Sequence, residues 1–285
     1  VRRLLAPYEL EPLSEGIQAR VFRVRGLPWV VKEARWDLEL PLHPRLSLPL
    51  DAALFDRLWA LVGFDFLPRP SFVLRQYQEY LSLVRYFGVS SPAWAKRHPA
   101  LAAVRNDQLT IRRDLLARLA PTLRRHRLPV DPLAQLISQV RDHNFLPEEY
   151  LLFGPSLSAQ NEGLPTSFIV QAFVSGQPLH DIDPLTLPRD SQAQLTLLLL
   201  LMLLLHEEEG LVPDTRPRSL LTQGHEWLLK TDNILIGPAT GVTIVDTRWC
   251  WRTRGNLAVR GGPIPDLTLL SARQLLRKLA KLPTS

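Results

Sequence analysis

The chain has 285 residues, 46% hydrophobic and 22% charged, a balance that builds a globular core and excludes intrinsic disorder. Its net charge of +6 suits an anionic ligand but is too modest to define a nucleic-acid-binding protein. The single cysteine, Cys250, allows no internal disulfide, and the longest apolar run, residues 195–205 broken only by Thr196, is too short to span a bilayer. Val1-Arg2-Arg3-Leu4-Leu5 stops at Pro7 without a secretory signal pattern, so the expectation is a cytoplasmic protein with no membrane contact.

In chain order, residues 8–13, 20–25 and 29–34 alternate and predict three strands, with turns around Gly16 and at Gly26-Leu27-Pro28. Residues 37–66 are rich in Pro and Leu, with an amphipathic stretch from Asp51 to Val62. Helices are predicted over 72–87 and 105–126, with Asp107 or Thr110 as N-caps of the second, and over 132–142. Strands follow at 149–153 and 167–174, separated by a polar Gly/Asn/Pro turn region. Residues 191–209 form a helix whose interior is nearly all Leu, the pattern of burial on every side. Two short strands, 227–236 and 242–245, flank a Gly237-Pro238…Gly241 turn, and a last helix covers about 267–282.

Lysine is scarce: Lys32, Lys96, Lys230, Lys278 and Lys281 are the five among 34 basic residues. Lys32 stands in the apolar run Trp29-Val30-Val31-Lys32-Glu33-Ala34. An ammonium is a compact point charge that fits a phosphate site, where Arg presents a broad planar fork. A strand-end lysine with its head in water is the plainer alternative.

Read with Lys32, the stretch Leu13-Ser14-Glu15-Gly16-Ile17-Gln18-Ala19-Arg20-Val21 resembles the nucleotide-binding start of the protein-kinase-like superfamily, with its G-x-G-x-x-G-x-V loop and V-A-I-K strand. Gly16 keeps the middle glycine; Ser14 and Ala19 stand in place of the others. Further on, a Leu-rich helix ending at His206 is followed by Gly210, a strand, and Pro213-Asp214-Thr215-Arg216-Pro217, similar to the segment that carries the catalytic Asp. Asn233 opens one apolar strand and Asp246 closes the next, thirteen residues later, which resembles the superfamily's two magnesium ligands. A hairpin brings its start and finish together, although Asn and Asp are also ordinary turn and strand-end residues. Residues 167–179 resemble the last strand of the first lobe running into the hinge, which makes Gln171, Ala172 and Phe173 the purine contact.

The resemblance covers residues 8–34, 167–180 and 191–248, and departs from the family at several points. Asp214 precedes Asn233 by nineteen residues instead of five, so either residues 218–230 form an insertion in the catalytic loop or Asp214 is structural. Where the family has a helix Glu that pairs with the strand lysine, residues 132–142 offer Gln135, Gln139 and Asp142. Thr247-Arg248-Trp249 replaces the usual Phe-Gly after Asp246, and the remaining 39 residues leave no room for a full substrate-binding subdomain.

Other chemistry has weaker support. Arg105, Arg112, Arg113, Arg118, Arg124, Arg125 and Arg127 make a basic stretch, but no aromatics interleave with them, so nucleic acid is disfavoured. His206 and His225 lack partners at zinc-ligand spacing, and there is no G-x-S-x-G elbow.

The resulting expectation is an α+β, bilobal protein-kinase-like fold with a helical insertion after the third strand and a shortened second lobe. Residues 1–172 would be the first lobe, including the insertion at about 37–142, and 173–285 the second. The resemblance implies an ATP- and Mg2+-dependent phosphotransferase acting on a hydroxyl of a protein or small molecule. Lys32 would orient the phosphates under the Gly16 loop, Asn233 and Asp246 would hold the metal, and Asp214 would serve the acceptor. The alternative is a pseudokinase, a nucleotide-binding regulatory module that meets a protein partner without turnover.

Overall fold

A computed structural model of the chain describes residues 8–15, 19–34, 70–88, 99–157, 165–213, 233–238, 240–245, 250–252 and 264–281. The helix expected at 51–62, the Gly16 turn, Asp214 and Asp246 lie outside these residues. The protein is mixed α+β, and all its paired strands run antiparallel. Its contacts divide it into two units, Val1–Gln78 with Glu148–Phe173, and Glu79–Pro147 with Val174–Ser285.

The first unit is built on a five-stranded sheet. The alternation read from the sequence becomes β1 (Leu10–Glu15), β2 (Ala19–Val24) and β3 (Trp29–Ala34), joined by β4 (Glu149–Pro155) and β5 (Pro165–Ala172) in the order β1-β2-β3-β5-β4. Successive side chains of a strand point to opposite faces, and directly paired residues share one. On one face Val24, Val31 and Phe168 are fully buried, with Leu10, Phe22, Trp29, Leu152, Leu157 and Val170 packed around them. Glu33 lies on the same face, 1% exposed, and its Oε1 accepts bonds from Ser156 Oγ (2.5 Å) and the Leu157 N–H (2.8 Å).

The second unit forms around one helix. After α1 (Pro70–Phe87), α2 (Pro99–Arg113), α3 (Leu115–Arg125) and α4 (Val130–Ile137), a short β6 (Gln177–Pro178) leads to α5 (Arg189–Glu209). Leu195, Leu197 to Leu201 and Met202 to Leu205 of α5 are essentially inaccessible, so this helix has no solvent face over three turns. Burying each such leucine contributes on the order of 2 kcal/mol of gross transfer free energy. Gly210, with φ of 70°, ends the helix in a left-handed cap and donates its N–H to the His206 carbonyl (2.9 Å). Then come β7 (Leu211–Pro213), β8 (Ile234–Gly237), β9 (Gly241–Ile244), β10 (Cys250–Arg252) and α6 (Ile264–Leu279). α3, α4 and α6 all pack on α5.

The contacts group Glu79–Pro147 with the C-terminal segment, where α3 and α4 pack on α5, a different division from the expected first lobe of residues 1–172. The expected helix over 105–126 is two helices interrupted at Asp114, and Asp107 and Thr110 lie inside α2 and do not cap it. Asp107 instead lies 3.2 Å from Arg85, and the Thr110 carbonyl accepts from the Asp114 N–H.

Three glutamates end α5, where the helix dipole disfavours negative charge. Each meets partners on other helices. Glu207 takes Arg125; Glu208 takes Arg118 (3.0 Å) and the Tyr86 hydroxyl (2.5 Å); Glu209 takes Arg85 (2.8 Å) and the Ser82 hydroxyl (2.5 Å). Burial, reinforced by the bond to Glu208, holds the Tyr86 phenol protonated far above its ordinary range. Removing that hydroxyl in Tyr86→Phe takes one of two donors from Glu208 Oε2, with Arg118 remaining, and is expected to lower stability by about 1 kcal/mol in urea denaturation.

Candidate functional site

The face of the sheet opposite the hydrocarbon core carries Lys32. In β3 it stands directly opposite Val21 of β2 and Ile169 of β5, and Ile169 stands opposite Leu151 of β4. The next row on this face is Arg23, Val30, Gln171 and Glu149. Lys32 is half-buried, beside an apolar shelf in which Val30 is 4% and Ile169 0% exposed. Gln171, diagonal to Lys32, is 2% exposed, and its Oε1 is buried without a hydrogen-bond partner among the described residues. A buried amide oxygen without a donor is costly, and none of the described residues supplies one. Shelf, ammonium and acceptor together suit a flat apolar ring that bears an N–H and is linked to a phosphate.

Past Gln171, the backbone is less available than expected. The Ala172 N–H donates to the Glu148 carbonyl (2.8 Å) and the Phe173 N–H to the Pro28 carbonyl (2.9 Å). At Ala172 and Phe173, where the purine contact was expected, the backbone N–H groups are thus already engaged. The Phe173 ring is 48% exposed, with the Arg23 guanidinium 5.7 Å from its centroid. The sequence reading passed over Glu149, a wholly buried carboxylate on the same face as Lys32. The alternation of β4 is the signal that marks it.

In the second unit, the expected hairpin forms over its described residues. β8 and β9 pair from Ile234 with Ile244 to Gly237 with Gly241, and one further bond joins the Val245 N–H to the Asn233 carbonyl (2.9 Å). The ladder thus holds position 245 against Asn233, one residue before Asp246. Asp214 follows β7 directly, and β7 is buried and paired with β10 through Pro213 with Cys250 and Val212 with Trp251. Among the described residues no three His, Cys, Asp or Glu side chains converge on a metal position.

What aims the hairpin comes from distant segments. The Val242 N–H donates to Gln194 Oε1 of α5 (2.9 Å), His143 Nε2 bonds the Val242 carbonyl (2.9 Å), and the Ile244 N–H donates to the Phe145 carbonyl (2.7 Å). Gly241 has φ of 64°, and a Cβ there would stand 2.1 Å from Gln194 Oε1. At Gly176 a Cβ would meet the Ile236 carbonyl at 2.9 Å, so the segment entering β6 runs directly against β8. Burial lowers the His143 pKa, Arg112 adds to the effect, and the Val242 carbonyl opposes it.

The arginine stretch does not form a free basic face. Arg112 bonds carbonyls, Arg113 bonds Asp114, and Arg118 and Arg125 bond the glutamates of α5.

Gly241→Ala combines left-handed backbone strain with collision against Gln194 and is expected to cost at least about 2 kcal/mol in urea denaturation. For His143 the folded pKa lies below the unfolded value, so its contribution is complete above about 6.5 and is lost as pH falls from there through the folded pKa. Stability at about pH 5.5 should fall below that at about pH 7.5, and His143→Gln should reduce this slope, with His126, also lowered by burial, supplying the remainder. In comparisons with protein-family models, curated proteins and solved structures, the chain matches none.

Proposed function

We propose that the protein is an ATP- and Mg2+-dependent phosphotransferase with a bilobal, protein-kinase-like fold. The observation that carries this reading is the orphaned Gln171 oxygen on the same apolar face as the Lys32 ammonium. The sheet order β1-β2-β3-β5-β4 supports it, as does a helix buried along its middle, followed by a short strand that ends at Pro213 and a hairpin that begins just after Asn233.

Lys32 neutralises the phosphates nearest the nucleoside while Val21, Val30 and Ile169 shelter the base and Gln171 accepts from its amine. Gly16, lacking a Cβ, would let the backbone pass close over the phosphates. Asn233 and Asp246 present hard oxygen donors, the ligand type that suits Mg2+, and the ion when bound neutralises charge on the terminal phosphates. Asp214 accepts the proton of the acceptor hydroxyl as its oxygen bonds to the γ-phosphorus. The bond from that phosphorus to the β-phosphate oxygen breaks, and ADP leaves. Alignment and charge stabilisation supply most of the rate in such transfers, so few groups are required. A cytoplasmic location, where ATP is abundant and a lone cysteine stays reduced, fits this chemistry.

A second reading is a nucleotide-binding regulatory module that engages a protein partner. The nineteen-residue separation of Asp214 and Asn233, and an α4 that offers Asp131 and Gln135 but no Glu, favour it.

Saturable binding of ATP with Mg2+ is expected by calorimetry, weakened at least about tenfold in Asp246→Ala and in Lys32→Met, with both variants shown to be folded by circular dichroism. Unchanged affinity in both variants removes the nucleotide reading. Sensitive measurement of ADP release then separates the two readings, since binding without turnover selects the regulatory module.

A further inference from the structure

Away from the residues assigned to nucleotide chemistry, the C-terminal unit holds a cavity of about 330 Å3 lined by Arg105, Gln108, Leu109, Arg112, Arg113, Arg141 and Asp142. Four guanidiniums around one concavity call for a charge balance. Arg113 is engaged by Asp114 at 2.9 and 3.2 Å, and Arg141 lies 3.7 Å from Asp142. Arg112 and Arg105 are not neutralised in this way.

Arg112 is 3% exposed and uses its fork on backbone carbonyls, those of Arg141 (3.0 Å), Tyr86 (3.2 Å) and Phe87 (3.3 Å), while its plane lies over the Phe145 ring. Carbonyls satisfy the donors but leave the positive charge in place. Burial accordingly lowers the Arg112 pKa to about 10, and the more distant Asp142 only partly opposes this. The Nε–H groups of both Arg112 and Arg105 are buried and have no acceptor among the described residues. Arg105 has no carboxylate partner among those residues. Between Arg105 and Arg112 on α2, Leu109 is 54% exposed and Gln108 is held by its bond to the Val84 carbonyl (2.7 Å).

Four lining guanidiniums against one lining carboxylate, Asp142, leave a surplus of positive charge that suits an oxyanion. The cavity volume is at the small end of the range for ligand pockets, which favours a small molecule over a polymer. We infer that this cavity binds a small phosphate monoester, its phosphate drawn by the guanidiniums that line it and its carbon skeleton resting on Leu109. Inorganic phosphate shares the anionic part and lacks the apolar contact, so the two sources differ in affinity.

The test is calorimetric titration of the full chain with glycerol 3-phosphate and with inorganic phosphate at constant ionic strength. Glycerol 3-phosphate is expected to bind one site with a Kd of about 0.1–1 mM, and inorganic phosphate about threefold or more weaker. Arg112 itself supports the fold, so the variant is Arg105→Glu, which removes no bond seen among the described residues. It should raise the Kd at least about tenfold while the melting temperature stays unchanged. Lys32→Met must leave this binding intact, which keeps the result separate from the nucleotide reading. Overturning results are the absence of saturable heat up to about 10 mM, equal affinity in Arg105→Glu, loss of binding in Lys32→Met, or binding confined to an oligonucleotide with steep salt dependence.

Discussion

The C-terminal unit depends on α5 having no polar face along its middle. A helix buried on all sides demands neighbours on all sides, and α3, α4, α6, β7 and β9 meet that demand. Its polar residues are confined to the ends, and each end carries out a separate task. At the start, Gln192 bonds the Leu185 carbonyl and Gln194 holds the Val242 N–H. At the finish, Glu207, Glu208 and Glu209 bind α1 and α3 through Arg85, Tyr86, Arg118 and Arg125. The hydrocarbon interior provides the drive for burial, while the charged end fixes how the surrounding helices are rotated, because a hydrogen bond is directional and apolar burial is not.

The hairpin with Asn233 inherits its position from that arrangement. Its second strand is gripped through backbone groups by Gln194 on one side and by His143 and Phe145 on the other. Positioning through main-chain groups makes the geometry insensitive to most side chains of β9 but intolerant of any Cβ at Gly241. Arg112 ties the same region together, since it bonds the Phe87 and Arg141 carbonyls and stacks on Phe145. A buried charge retained for such bonding is also the reason a surplus positive charge faces the arginine cavity.

The sheet of the first unit has two faces of different character. One is a hydrocarbon core with the single satisfied carboxylate oxygen of Glu33. The other mixes fully buried Val30 and Ile169 with Lys32, Gln171 and Glu149. Polar groups on an inner face lower the stability a sheet could have, and proteins concentrate such departures where a ligand is handled.

The sequence by itself determined the strands around Lys32, the leucine helix and the hairpin opened by Asn233, because each is a local pattern: alternation, an unbroken apolar run, two apolar segments around a Gly-rich turn. Tertiary structure alone decided which helices join which unit, since α1 to α4 are amphipathic and amphipathicity does not name the surface it will cover. It also decided the break at Asp114, where helical bonding continues on both sides, from the Asp114 N–H to Thr110 and from the Arg118 N–H to Asp114. The orphaned oxygen of Gln171, the burial of Glu149 and the grip of Gln194 on Val242 were likewise beyond the sequence. Each depends on partners brought together across strands or over 48 residues of chain, and hydrogen-bond satisfaction is a property of that assembled neighbourhood.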